Sequence, residues 1–180
     1  MAGQPSVAVL RLGHRPGRDN RMTTHVGLTA RALGAETVYI HGSAAQAKET
    51  IDEVTARFGG PFTVELVDEY RPLIRTWPGS IVHLTMYGLP VQQVIPEIQA
   101  DMETDPILII VGAEKVPFDV YEQASYNIGV SNQPHSEVAS LAVFLDRLFA
   151  GNELDRTWEN ATHEIVPKAR GKDVREVVDE

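Results

Sequence analysis

Cysteine is absent from all 180 residues, which removes a disulfide framework and any thiolate metal site. Lysine is scarce, at four against twelve arginines, and aromatic residues make up only 7%. No apolar run approaches the roughly 18 residues that a membrane-spanning helix needs. The opening Met-Ala-Gly-Gln-Pro-Ser has neither the basic nor the long apolar region of a secretory signal, so a cytoplasmic protein is expected. Also missing are a Gly-x-Gly-x-x-Gly turn, a Walker-type Gly-x-x-x-x-Gly-Lys-Ser/Thr and a Gly-x-Ser-x-Gly elbow. The histidines, His14, His25, His41, His83, His135 and His163, show no His-x-x-x-His spacing, so no metal is expected. The usual signals of dinucleotide, triphosphate, serine-hydrolase and zinc chemistry are therefore all lacking.

What the chain does have is charge unevenly placed. Its formal net charge is −9, from 25 acids and 16 bases. That total argues against a polyanionic partner, because phosphate binding needs a basic surface. The distribution argues the other way. Arg11, Arg15, Arg18, Arg21 and Arg31 fall within residues 11–31, against one acid, Asp19. A salt-adapted RNA-binding protein and a merely acidic surface both fit this pattern.

Apolar runs and turn residues alternate along the chain. Strands are expected over 7–12, 37–40, 62–67, 80–86, 106–111 and 126–130. The unbroken Ile-Leu-Ile-Ile-Val of the fifth reads as buried on both faces. Helices are expected from Thr23 or Thr24 to 33, from a Ser43-Ala44-Ala45-Gln46 capping box to 58, and over 91–102, where Pro96 would disturb the backbone. Shorter ones follow at 70–77 and 119–125, with a turn at 87–90. The last helix opens at Ser136 and stops at Gly151, with Phe144 off its main apolar stripe; that extra apolar surface suggests a second subunit. The class is α/β, a largely parallel sheet flanked by helices. Residues 1–151 form the domain, and residues 152–180 a polar C-terminal extension.

Three polar, glycine-bearing segments each begin where an apolar stretch ends: 13–21, 112–115 and 130–137. Segments beyond the carboxyl ends of parallel strands are where ligands bind. Gly112 would let a ligand approach the backbone, although 112–115 also reads as a plain strand-to-helix turn. The third segment feeds a helix N-terminus at Ser136, whose free N–H groups suit a carboxylate or another polar group. A small ligand beside a polyanion is the combined expectation.

The motifs Arg11-Leu12-Gly13-His14-Arg15, Arg18-Asp19 and Thr23-Thr24-His25-Val26-Gly27-Leu28-Thr29-Ala30-Arg31 resemble the archaeal tRNA cytidine-56 2′-O-methyltransferases. So do His83-Leu84-Thr85-Met86-Tyr87-Gly88, Val111-Gly112-Ala113-Glu114-Lys115-Val116-Pro117 and Asn132-Gln133-Pro134-His135-Ser136-Glu137-Val138, in the same order and spacing from about residue 7 to residue 150. The resemblance implies the SPOUT class: an α/β fold with a C-terminal deep trefoil knot, a homodimer, tRNA as substrate and S-adenosylmethionine as donor. By position it assigns the donor to Leu84, to Gly112, Ala113, Glu114, Lys115 and Val116, and to Val130, Ser131, Asn132, Gln133, Pro134, His135, Ser136 and Glu137. In SpoU-type relatives the matching motifs carry catalysis, here Arg31, Glu114 and Ser136, with Arg18 a rival for the reacting end. Two departures stand out: His25 and Val138 replace asparagines. Arg15, Arg18 and Arg21 are expected to hold RNA phosphates. The alternatives are a knotted methyltransferase acting on ribosomal RNA and a non-catalytic RNA-binding protein of the same fold.

Overall fold

The computed structural model describes residues 6–112 and 115–177. Six strands form one sheet: β1 (Val7–Arg11), β2 (Thr37–His41), β3 (Thr63–Val67), β4 (Ser80–Pro90), β5 (Ile107–Val111) and β6 (Tyr126–Gly129). Their order is β3-β2-β1-β5-β4-β6, and every pairing is parallel. β5 lies between β1 and β4 in matched register, Arg11 opposite Val111 and Leu84 opposite Val111. All its residues are buried, because each side of the sheet carries helices. Val7, Val9, Ile107 and Ile109 face a core closed by α1 (Asn20–Ala32), α2 (Ala45–Phe58), α4 (Val91–Met102) and α6 (Glu137–Phe149). Ala8, Leu10, Leu108 and Ile110 face a smaller core under α3 (Tyr70–Thr76) and α5 (Phe118–Gln123).

Three boundaries differ from the sequence expectation, each for a local reason. α1 begins at Asn20, before the expected threonine caps. The Asp19 carboxylate at its cap position accepts instead from the Arg15 backbone N–H (2.9 Å), Nε (2.8 Å) and Nη2 (3.1 Å), and Thr23 is buried against His14. α2 follows Ala44 with no side-chain cap bond, so the Ser43 capping box does not form. β4 does not end at Met86. It pairs with β6 through Leu84, shifts register, and pairs again at Leu89 and Pro90, so residues 85–88 bulge outward at the carboxyl end. Gly88 permits this, because a Cβ there would overlap the Asn127 and Ile128 backbone. Pro96 is accommodated inside α4.

α6 follows the sequence closely. Ser136 Oγ accepts from the Ala139 N–H at 3.2 Å, and Ala150 takes the left-handed conformation that ends the helix. Phe144, however, is 0% exposed and belongs to the chain's own core, against α1 and α4. The second apolar stripe therefore does not point to a partner subunit. Beyond α6, the chain forms a 3-10 turn (Asn152–Asp155) and an antiparallel pair, β7 (His163–Ile165) with β8 (Val174–Glu176). This extension is tied to the domain where Gly60 N–H donates to Glu159 O (2.8 Å) and Thr162 N–H to Arg57 O (3.0 Å).

Emptying the Phe144 position should leave a cavity that the packed helices cannot fill. Phe144→Ala should lower the unfolding free energy by about 3–5 kcal/mol, read from urea melts at several protein concentrations. A loss that depends on protein concentration would instead place Phe144 in a subunit contact.

Candidate functional site

The register of β1, β5 and β4 puts three sequence-distant turns side by side at the carboxyl end of the sheet. A cavity of about 250 Å³ lies between the turns after β4 and β5 and the segment that follows β6. Its walls include His83, Leu84 and the bulge residues Thr85, Met86 and Tyr87. Gly112, Val116, Tyr121, Val130, Gln133, Pro134, His135, Glu137 and Ser140 complete it. Of the residues expected to hold the donor, Leu84, Gly112, Val116, Val130, Gln133, Pro134, His135 and Glu137 line it. Lys115, Ser131, Asn132 and Ser136 do not, and Ala113 and Glu114 lie outside the described residues.

The non-lining members of the third segment shape the cavity instead. Ser131 and Asn132 both have positive φ, 65° and 50°, a conformation costing of order 1–3 kcal/mol at a non-glycine residue. Asn132 offsets it by donating from Nδ2 to Met86 O (2.9 Å) and Gly88 O (2.8 Å), which ties the segment to the β4 bulge. Ser136 Oγ is engaged as the α6 cap. His135 spans the turn, with Nε2 2.6 Å from Val130 O and Nδ1 3.0 Å from Ser136 O. Two carbonyl acceptors can both be satisfied only by a ring with two N–H groups. These bonds raise the His135 pKa above its ordinary 6.5.

His83 is buried, which lowers its pKa, and its Nδ1 lies 2.9 Å from Asn127 Oδ1. The Asn127 amide nitrogen donates to Tyr121 O, so its oxygen faces the ring and Nδ1 carries the proton. The Tyr121 ring packs edge-on against His83 at 4.6 Å, and its hydroxyl reaches Thr85 Oγ1 at 3.0 Å. The wall residues His83, Thr85, Met86, Tyr87, Tyr121 and Ser140 were not among those that sequence reasoning assigned to the donor. His83 sat in a quoted motif and Ser140 one helical turn beyond Glu137, but nothing local marks Tyr121.

Next to the cavity stands the arginine-rich segment. Arg15 and Asp19 form a bidentate pair that holds the Asp19 carboxyl at about 2, the Arg15 hydrogen bond being the largest cause. Arg18 and Arg21 are exposed around it. Beneath them Arg11, 1% exposed, lies 3.6 Å from the Glu137 carboxylate, and desolvation lowers its pKa against the pull of Glu137 and Asp19. Sequence reasoning counted Arg11 in the patch and gave it no role.

Arg31 is elsewhere. It occupies the last turn of α1, about 16 Å along the axis from Asn20 at 1.5 Å per residue. Its Nη2 donates to Gly59 O at 2.6 Å, and its guanidinium lies 4.5 Å from the Trp158 ring centroid. It lines a second cavity, of about 890 Å³, between the helix ends and the C-terminal extension. Arg31 thus clasps α1, α2 and the extension; Arg11 stands beside the first cavity without lining it, 3.6 Å from Glu137 of its wall.

Similarity to known proteins agrees with this geometry. The family described as tRNA ribose 2′-O-methyltransferase, aTrm56, matches residues 58–175. A tRNA (cytidine(56)-2′-O)-methyltransferase of Natronomonas pharaonis is 65% identical over 180 residues, covering 100% of both chains. That of Thermococcus kodakarensis is 52% identical over 172 residues, covering 93% of this chain and 96% of its own. The chain belongs to the tRNA ribose 2′-O-methyltransferase family. Solved structures share the fold at low identity. The SpoU methyltransferase AviRb of Streptomyces viridochromogenes, in complex with AdoMet, has a TM-score of 0.57 at 14% identity, over 83% of this chain and 58% of that one. An RNA 2′-O ribose methyltransferase gives 0.60 at 16%, over 83% of this chain and 57% of that one. The chain thus spans less than two thirds of those two structures. Among the described residues no group of three or more His, Cys, Asp or Glu could hold a metal ion, and no helix is long and apolar enough to cross a membrane.

The His135 staple carries a pH dependence with a fixed sign. A folded pKa above 6.5 means that its contribution is fully present below that value and fades as pH rises through the raised one. Proton NMR should find His135 titrating above 6.5 in the folded protein, and ligand affinity in the crevice should fall through the same range. A titration at or below 6.5 would show that the ring does not bridge the two carbonyls.

Proposed function

We propose that this member of the family transfers a methyl group from S-adenosylmethionine to the ribose 2′-oxygen of cytidine 56 in tRNA. The observation that carries the reading is the crevice itself: the three segments shared with the family converge on one cavity beside an arginine-rich rim. The cavity fits the donor chemically. Leu84, Met86, Tyr87, Val116 and Val130 supply apolar walls for a flat base, and the Glu137 carboxylate suits the cationic end of a sulfonium amino acid. The bound donor supplies an activated methyl group, and the protein supplies binding, orientation and electrostatics.

Arg15, Arg18 and Arg21 then serve the RNA, as phosphate contacts that fix the register of the target nucleotide. An arginine, whose guanidinium stays protonated, does not remove the 2′-hydroxyl proton; it orients the hydroxyl and stabilises negative charge developing on the oxygen. Arg18 is the expected residue whose position on the rim suits that task, whereas Arg31 is held at the far end of α1. Ser136 keeps its expected place by setting the α6 N-terminus. Glu114 stays assigned to the donor by family position alone.

The trefoil knot belongs to the same proposal. β6 lies outside β4, yet α6 packs on α1 and begins beside Arg11 of β1. Residues 130–136 therefore cross the ends of β4 and β5, held to the 85–88 bulge by Asn132. That path supports a threaded chain. A homodimer is also proposed, supported by the apolar side chains Tyr87 (77%), Leu89 (62%) and Phe118 (73%), which are exposed at the surface.

The decisive experiment incubates the protein with methyl-labelled S-adenosylmethionine and unmodified tRNA, then maps the label. Label on the 2′-oxygen of cytidine 56 is the expected result. Label found only in ribosomal RNA would transfer the activity to another substrate, and donor binding without transfer to either RNA would mark a non-catalytic protein.

A further inference from the structure

Arg11 is the least explained charge in the molecule. It ends β1 on the side of the sheet that faces α1 and α6, and only 1% of its surface is exposed. Its Nε and Nη1 are buried without a hydrogen-bond partner. The nearest anion, Glu137 Oε1, stands 3.6 Å from Nη1, close enough for an ion pair and beyond hydrogen-bond reach. Buried polar groups are almost always paired, so two idle guanidinium donors call for a ligand or a costly structural reason.

The surroundings favour the ligand. Glu137 is the first residue of α6, a 13-residue helix whose N-terminal N–H groups and dipole favour an anion. The guanidinium thus faces the carboxylate of the residue that opens α6, so a buried cation and a helix N-terminus are joined by one loosely placed carboxylate. Arg11 does not line the donor cavity, whereas Glu137 does. On its other side stand Arg15 and Asp19, whose charges act on Arg11 and which are satisfied by each other. The idle donors thus lie between the donor cavity and the basic rim, where the backbone flanking a bound ribose has to pass.

We propose that Arg11 and the N-terminus of α6 form a phosphate cradle that receives the phosphodiester next to the target ribose, and that Glu137 occupies it in the free protein. The proposal rests on the methyltransferase reading and adds a residue and a device to it. When RNA binds, the phosphate replaces the Glu137 carboxylate against Nε and Nη1 with charge-assisted hydrogen bonds. Glu137, 28% exposed along its side chain, swings toward the donor cavity that it already lines. Filling the cradle thereby couples RNA binding to the donor side of the site. The signature is an intramolecular competitor: removing Glu137 strengthens RNA binding, and removing Arg11 weakens it.

The test measures binding of unmodified tRNA to the full-length protein without donor, over a range of salt concentrations, for wild type, Arg11→Gln and Glu137→Gln. Arg11→Gln should weaken tRNA binding about tenfold or more and reduce the salt slope by about one phosphate's worth. Its affinity for S-adenosylmethionine, measured by calorimetry, should stay within about twofold of wild type. Glu137→Gln should bind tRNA severalfold tighter with a salt slope at least as steep. If Arg11→Gln fails to fold, the Glu137→Gln arm still decides, because a carboxylate that merely pairs with Arg11 gives unchanged or weaker tRNA binding when removed. Weaker donor binding by Arg11→Gln with unchanged tRNA binding would assign Arg11 to the donor and overturn the cradle. Failure of the enzymatic reading is distinguishable, since wild type itself would then show no methyl transfer to tRNA.

Discussion

The site depends on where β5 enters the sheet. Ile107–Val111 pairs with β1 on one side and β4 on the other, placing Arg11, Val111 and Leu84 in one row. Of the polar wall residues, His83 and Thr85 come from β4, Tyr121 from α5, and Gln133, His135, Glu137 and Ser140 from the segment and helix after β6. Without that insertion, residues 13–21 and 85–88 and the end of β5 at Gly112 would lie apart on the surface. The cost of burying a strand on both faces is met by its composition, since Ile-Leu-Ile-Ile-Val leaves only backbone polar groups to satisfy and both neighbours satisfy them.

On that frame the chemistry divides by charge. Among the described residues, the cavity between the β4 bulge and residues 130–137 has largely apolar walls with one carboxylate, while the rim above β1 carries arginines whose acid, Asp19, is saturated by Arg15. Glu137 belongs to both, lining the cavity and lying 3.6 Å from Arg11. Two subsites of opposite electrostatic character sharing one residue is an arrangement suited to bringing a cationic donor against a polyanion. The net charge of −9 does not oppose it, because what an approaching phosphate meets is the local field of the rim, and distant exposed acids are screened within about 10 Å.

Much of this was legible in the chain. All six strands of the main sheet and the last helix are visible as apolar runs bounded by turn residues, because burial on two faces leaves a composition signal needing no partner information. The three ligand segments were legible for the same reason, as polar glycine-bearing breaks after those runs. What escaped depended on contacts across the fold. The β4 extension through Leu89 and Pro90 exists because Gly88 lets the Asn127 backbone come close, and nothing within residues 80–90 records that neighbour. The cap at Asp19 was lost to Arg15, a competition between two local rules. Phe144 looked like an interface residue until α1 and α4 covered it. Motif matching placed Arg31 at the reacting end, and its position in the last turn of α1 puts it beside Gly59 and Trp158. Arg11 was overlooked because a charged residue ending a buried strand reads as the beginning of a loop.

The central claim is that the donor occupies the crevice lined by residues 84–87, by Gly112 and Val116, and by the 130–137 segment, and not the larger cavity beside Arg31 and Trp158. Hydrogen–deuterium exchange with and without S-adenosylmethionine tests it directly. Protection should concentrate in peptides covering 84–90 and 130–140, with those covering 54–60 and 156–165 unchanged. Protection confined to the Arg31–Trp158 side would contradict the account.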